Sequence, residues 1–139
     1  MPRPEVLSEE NIVRAIHKAW WDEQENRKES SIFKGQNISV SRLSILNLDE
    51  LFVIFHKQLD TSPNGVIIGA GEINVRQLKE VGRNFTANPT ELTVEVDPIK
   101  GDAEKRIVEN PAHAEIPQKI SRGLANKIID ELIFHRNQI

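Results

Sequence analysis

The chain predicts one small α+β domain, with short mixed or antiparallel strands and about four helices, and three observations carry that prediction. Its 139 residues fall within the usual length of one domain, roughly 100–200 residues. Segments whose apolar residues alternate, the mark of strands, are interspersed with segments whose apolar residues recur at helical spacing. Some strand-like segments lie too close together for the crossover that a parallel pair needs. No internal repeat or low-complexity linker divides residues 1–139, and 1–7 read as a flexible N-terminus.

The elements follow in order. Ser8 with Glu9 and Glu10 resembles a helix start, a capping oxygen followed by acids that suit the positive end of the dipole. Ile12, Val13, Ile16, Ala19 and Trp20 then form an apolar stripe at helical spacing. The stretch 22–29 is almost wholly polar and should be solvated. Ile38, Val40 and Leu43 alternate with polar neighbours and predict a strand. Asn47 with Glu50 three positions on makes a capping box, opening a helix with Leu48, Leu51, Phe52 and Phe55 on one side. That helix should end near Leu59, before the Ser62-Pro63-Asn64-Gly65 turn. Val66-Ile67-Ile68 predicts a short apolar strand leaving through Gly69-Ala70-Gly71 into a brief helix from Asn74 to Val81, stopped by Gly82. Leu92, Val94 and Val96 predict a half-buried strand ended by Asp97-Pro98, and 100–110 an exposed excursion. Ala112, Ala114 and Ile116 alternate as a second such strand. From Lys119 a helix is predicted to the end of the chain, with Ile120, Leu124, Ile128 and Leu132 at i, i+4 spacing. Gly123 within it costs about 1 kcal/mol relative to Ala, so it marks a close approach to a neighbour.

Composition narrows the function classes. The formal net charge of −3 gives no global basic field of the kind non-specific nucleic-acid binders carry. There is no cysteine, which removes disulfides, thiolate zinc sites and cysteine nucleophiles. The N-terminus lacks the apolar stretch of a secretory signal, and no run of apolar residues is long enough to span a bilayer. A cytoplasmic location is expected, which makes the Asn37-Ile38-Ser39 and Asn84-Phe85-Thr86 sequons chance matches.

Four features are candidate sites. In Pro111-Ala112-His113-Ala114-Glu115-Ile116, period-2 geometry puts His113 and Glu115 on one face. An imidazole beside a carboxylate suits a general base or two metal ligands, with a third group from His56, His17 or Asp97. The plainer account is a polar strand face; two side chains do not make a metal site, and no metal is assigned. Gly69-Ala70-Gly71 invites a dinucleotide reading, but Asn74 stands where the fingerprint needs Gly, so no cofactor is assigned. Trp20 and Trp21 precede Arg27, Lys28, Phe33 and Lys34, a mix suited to stacking bases and holding phosphates. Asp22, Glu23, Glu25 and Glu29 cancel that field, so Trp21 suits a protein contact better. The final helix, with Lys119, Arg122, Lys127 and Arg136 and with Asp130 and Glu131 between them, reads as a docked surface helix without a membrane role.

Trp20-Trp21, then Arg27-x-x-Ser30-Ser31-x-Phe33, Ile38-Ser39-Val40, Val66-Ile67-Ile68 with its helix, Asp97-Pro98, and Asn110-Pro111-Ala112-His113-Ala114-Glu115-Ile116 before a closing basic helix form an ordered series over residues 16–133. The series resembles a loosely defined family of small bacterial proteins with no established activity, some encoded in conflict or mobile-element neighbourhoods. The resemblance implies a bacterial origin and makes Arg27, Ser31, Phe33, Ser39 and His113 the positions to test. Glu115 falls outside the family's pattern, which weakens the His–Glu pair. The leading expectation is therefore a non-enzymatic binding or accessory protein acting through a partner protein, with Trp21, Arg27, Ser31, Phe33 and Lys34 as binding residues. The alternatives are a small hydrolase or nuclease-like effector using His113 with Arg27, and a nucleic-acid-binding module.

Overall fold

A computed structural model describes residues 3–22, 24–25 and 27–137. Met1, Pro2, Glu23, Asn26, Gln138 and Ile139, which include parts of the expected tail, acidic stretch and closing helix, lie outside the described residues. The strands are β1 (Asn11–His17), β2 (Trp21–Asp22), β3 (Arg27–Lys28), β4 (Ile38–Arg42), β5 (Ile67–Asn74), β6 (Glu95–Val96), β7 (His113–Ile116) and β8 (Ile133–Arg136). The helices are α1 (Leu48–Leu59), α2 (Val75–Arg83) and α3 (Arg122–Asp130). Six strands form one sheet in the order β6-β7-β4-β1-β5-β8, and β2 with β3 makes a separate ribbon. Every neighbouring pair in the sheet is antiparallel. The class is α+β as the sequence predicts, with three α-helices among the described residues rather than about four.

The missing helix is β1. Its Ile12, Val13, Ile16 and His17 are all buried, because the strand is central and covered on both faces. Ile12 and Ile16 join the core beneath α2 and α3, whereas Val13 joins the smaller core beneath α1. A strand buried on both faces shows no alternation, and its apolar residues then fit a helical stripe equally well. Glu10, expected in the first helical turn, instead accepts from Arg42 Nε and Nη2 at 2.9 and 2.8 Å and from Ser44 Oγ at 2.5 Å. Arg3 to Val6, expected as a loose tail, lie along the sheet edge. Val6 N donates to Val94 O, Val96 N donates to Pro4 O, and Val6 is 2% exposed.

The helix starts are legible. Asn47 and Glu50 form the capping box of α1, and the Asn74 side chain accepts from Arg76 N to cap α2. One further orphan N–H of α2, that of Val75, reaches Glu10 O, and the Arg76 N–H is shared with Ser8 O. The helix ends are less so. Gly82 does not stop α2 but lies inside it, where a Cβ would sit 2.5 Å from Thr90 O. The C-terminal helix stops at Asp130, and Ile133 to Arg136 run as an edge strand beside β5. Gly69 and Gly71 are not a strand exit. They sit within β5, where Cβ atoms would meet His135 O at 2.7 Å and Leu132 Cδ1 at 2.8 Å. The Leu92–Val96 segment forms ladder pairs only at Glu95 and Val96, although Leu92 and Val94 are fully buried.

The two faces are covered unequally. α2 and α3 pack on one, and α1 alone packs on the other, over Val13, Ile67 and Ala70. The 97–110 segment folds back through the bridges Ile99–Asn110 and Asp102–Ile107.

Candidate functional site

Register decides which side chains meet on the α1 face. Val13 pairs with Ser41, and Ser41 pairs with His113, so three adjacent strands place these residues in one row. Residues directly opposite in such a ladder share a face. Ala15 and His17 follow Val13 on β1, and Ser39 precedes Ser41 on β4. α1 covers only part of this face. The remainder is a cleft of about 250 Å³, walled by Ile54, Phe55, Gln58 and Leu59 of α1 and by Ile99, Val108 and Asn110 of the returning loop.

Among the described residues four polar side chains are buried, namely His17, Ser41, Asn110 and His113, and all four line this cleft. Buried polar groups are the informative ones, because each must find a partner. His113 Nδ1 donates to Asp97 O at 2.8 Å and lies 3.3 Å from Asp97 Oδ2. His17 Nδ1 donates to Gly65 O at 2.8 Å. A carbonyl only accepts, so both rings carry a proton on Nδ1 and present Nε2 as the remaining atom. Asn110 Nδ2 donates to Ser41 Oγ at 3.1 Å while its Oδ1 accepts from Ala112 N. Gln58 Oε1 accepts from Val108 N at 2.7 Å, tying the loop to α1.

Arg14 lines the same cleft where β1 and β4 part, their ladder being limited to two residue pairs. Its Nη1 donates to Ser39 O at 2.8 Å and its Nε to Ile32 O. The guanidinium carbon stands 5.4 Å from the centre of the Trp20 ring. Burial pulls the Arg14 pKa down to about 10, which leaves it cationic at neutral pH.

The sequence-predicted residues scatter around this centre. His113 is in the cleft, with Asp97 as neighbour and His17 in the same lining. Glu115 is bound to Arg3, which also bridges Glu95 and Asp97 at 3.0 and 3.2 Å. His56 belongs to another network, with Nδ1 2.7 Å from Asp60 Oδ2. Arg27 stands on the β2–β3 ribbon, 72% exposed and 3.6 Å from Glu29, and does not line the cleft. Phe33 is fully buried in the core and so packs rather than presents a binding surface. Ser31 is half-buried in a 3₁₀ turn, and Lys34 is exposed. Trp21 is half-buried, its ring 5.6 Å from that of Phe134 and 5.3 Å from Lys28 Nζ. Its Nε1 is buried with no acceptor among the described residues. Arg14, Ser41, Asn110 and Gln58 are the cleft residues that sequence reading passed over. The alternation of Ser39 and Ser41 about Val40 was the available signal.

No three His, Asp or Glu side chains among the described residues are grouped to hold a metal ion. No helix among them is long and apolar enough to cross a membrane. Comparison with family models, with curated proteins and with solved structures found nothing that matches the chain.

Proposed function

We propose that this chain is a binding module rather than an enzyme, an accessory protein that holds a ligand in the cleft beside α1 and acts through a partner protein. One observation carries the reading: all the buried polar side chains of the described residues face one partly apolar cleft, and each is anchored by the scaffold rather than poised for chemistry. Ser41 Oγ is engaged by Asn110, and both imidazoles are oriented by backbone carbonyls. Fixed polar groups over an apolar floor suit recognition, whereas covalent catalysis needs a nucleophile bonded to its base. The partner half of the proposal rests on the loop that walls the cleft, which exposes Ile107 next to the charged run from Lys100 to Arg106. A protein seated there would read whether the cleft is filled.

The test is an amide-shift titration of ¹⁵N-labelled protein with pooled small organic acids, bases and neutral compounds. Binding should move Val13, Ala15, Ser41, Ile99 and His113 and return the ligand chemically unchanged. Conversion of the ligand in the tube, or pools that move none of these residues, would overturn the reading.

A second reading has an observation of its own. Ser41 lies opposite His113, and Asp97 flanks the far side of that ring, the order in which a hydrolase arranges its triad. It requires Ser41 Oγ to leave Asn110 and meet His113 Nε2. Labelling by a fluorophosphonate probe, lost in both Ser41→Ala and His113→Ala at unchanged melting temperature, would favour this hydrolase over the binding module.

A further inference from the structure

Resting on the reading of the cleft as a binding site, we infer that its ligand is a small organic carboxylate with an apolar body and a hydrogen-bond donor at the far end, the size of a hydroxyaryl acid. Charge comes first. The chain is acidic overall, with a net charge of −3, yet among the described residues no Asp or Glu lines the cleft. Its ionisable lining groups are Arg14, His17 and His113. Arg3, Arg27, Arg42, Arg76 and Arg83 each pair with a carboxylate, whereas Arg14 has no such pair among the described residues. The guanidinium is half-buried, and the two carbonyl dipoles it meets carry no full charge to balance it. The Arg14 Nε and Nη1 contacts to Ile32 O and Ser39 O leave Nη2 to donate to an incoming carboxylate. Trp20 backs the guanidinium and holds it in place.

Size and shape come next. A volume of about 250 Å³ is below the roughly 300–1,000 Å³ of sites for drug-sized ligands. It takes a single ring with its substituents and refuses a dinucleotide. Val13, Ala15, Phe55, Leu59, Ile99 and Val108 supply an apolar bed for that ring.

The far end is set by His113. Its Nδ1 proton is committed to Asp97 O, so Nε2 of the neutral ring accepts a hydrogen bond and asks for a hydroxyl or N–H. Ser39, whose carbonyl anchors Arg14, is two residues from Ser41, the partner of His113 across the ladder. Two residues along a strand and one strand spacing across put the backbone at Ser39 and at His113 roughly 8 Å apart, so the two groups address different parts of a ligand.

Because Arg14 also ties Ile32 and Ser39 together, the test varies the ligand and leaves the protein unchanged. Calorimetry and amide shifts compare 4-hydroxyphenylacetate, its uncharged counterpart 2-(4-hydroxyphenyl)ethanol, and phenylacetate. The hydroxy acid should bind about tenfold tighter than the alcohol, the ratio one charge-assisted hydrogen bond supplies, with an advantage that shrinks as salt is added. Phenylacetate should bind several-fold more weakly than the hydroxy acid. An alcohol that binds as tightly as the acid while moving the same cleft residues overturns the carboxylate and leaves the binding module standing. If none of the three moves a cleft residue the inference fails outright, and the pooled titration then decides the binding reading separately.

Discussion

Replacing Gly82 by Ala sets helix propensity against packing, and the structure decides the winner. In an exposed helix interior the change would stabilise by about 1 kcal/mol. Here the new Cβ would lie 2.5 Å from Thr90 O, about 0.9 Å inside the 3.4 Å at which ordinary contact begins, and 3.0 Å from Leu92 Cγ. Neither neighbour yields easily. Thr90 is held across the helix by its N–H donating to Gly82 O at 2.8 Å, and Leu92 is 1% exposed in the core. Overpacking of this kind costs about 1–3 kcal/mol, and weakening the Thr90 bond adds about 1 kcal/mol. Setting the propensity gain against these, Gly82→Ala should lose about 1–3 kcal/mol. Gly123→Ala is the internal control. Its Cβ would meet only the tip of a half-buried ring, Phe85 Cζ at 3.0 Å, on an exposed stretch of α3. A side-chain tip can swing aside, so this variant should keep most of the propensity gain and match or exceed wild-type stability. Urea titrations of the three proteins, with m-values checked for equality, give the comparison. A Gly82→Ala protein as stable as wild type, or two variants shifted alike, would refute the packing argument.

Three other outcomes follow from named contacts. Arg42 and then Ser44 hold the Glu10 carboxyl below its ordinary value of 4.5 against the opposing effect of burial. A depressed carboxylate stabilises above its unfolded pKa and loses that contribution as pH falls through the folded one. Glu10→Gln should therefore cost about 1–2 kcal/mol at neutral pH, with the gap to wild type closing as urea titrations are taken to progressively lower pH below 4.5. Phe55→Ala removes a side chain that is 5% exposed and walls the cleft, and should cost about 3–5 kcal/mol by chemical denaturation. Arg27→Ala, at a 72% exposed position outside the cleft lining, should change stability by less than about 1 kcal/mol, the ceiling for exposed pairs, and leave the affinity for 4-hydroxyphenylacetate within a factor of about two.

The elements legible in the sequence are those whose two faces differ. β4 and β7 alternate because one face meets the α2–α3 core and the other opens to the cleft. The Asn47–Glu50 box announces α1 because capping is a local transaction among four residues. β1 was hidden because both its faces are buried, and β8 because Leu132 and the residues before it continue a helical rhythm into Ile133-Phe134-His135-Arg136. What turns those four residues into a strand is the free edge of β5, a partner far away in the chain. The site was half legible for a related reason. Alternation marks His113, and Asp97 was within the set of residues it was expected to meet. The row Val13–Ser41–His113 exists only through inter-strand register, and no local pattern states which strand lies beside which.

That register also explains why a cleft exists at this position. Six strands at about 4.8 Å spacing make a sheet some 24 Å wide between its outer strands, and one helix about 10 Å across covers two of them. Two helices, α2 and α3, occupy one face, whereas α1 sits alone on the other, over β1 and β5. The β4–β7 half of that face has no helix to bury it, and the chain meets this with chemistry. Ile38, Val40, Ala114 and Ile116 turn toward the two-helix core, while Ser39, Ser41, His113 and Glu115 turn the other way. A half-face left open by chance would need only solvated polar residues. This one is roofed by the 97–110 segment, tied down at Gln58 and Asn110, so that Ser41 and His113 are withdrawn from water to 2% and 8% exposure. Roofing polar groups costs free energy unless each finds a hydrogen-bond partner. The four buried side chains find theirs within the fold, and the imidazole and guanidinium nitrogens left over are the atoms on which the ligand inference is built.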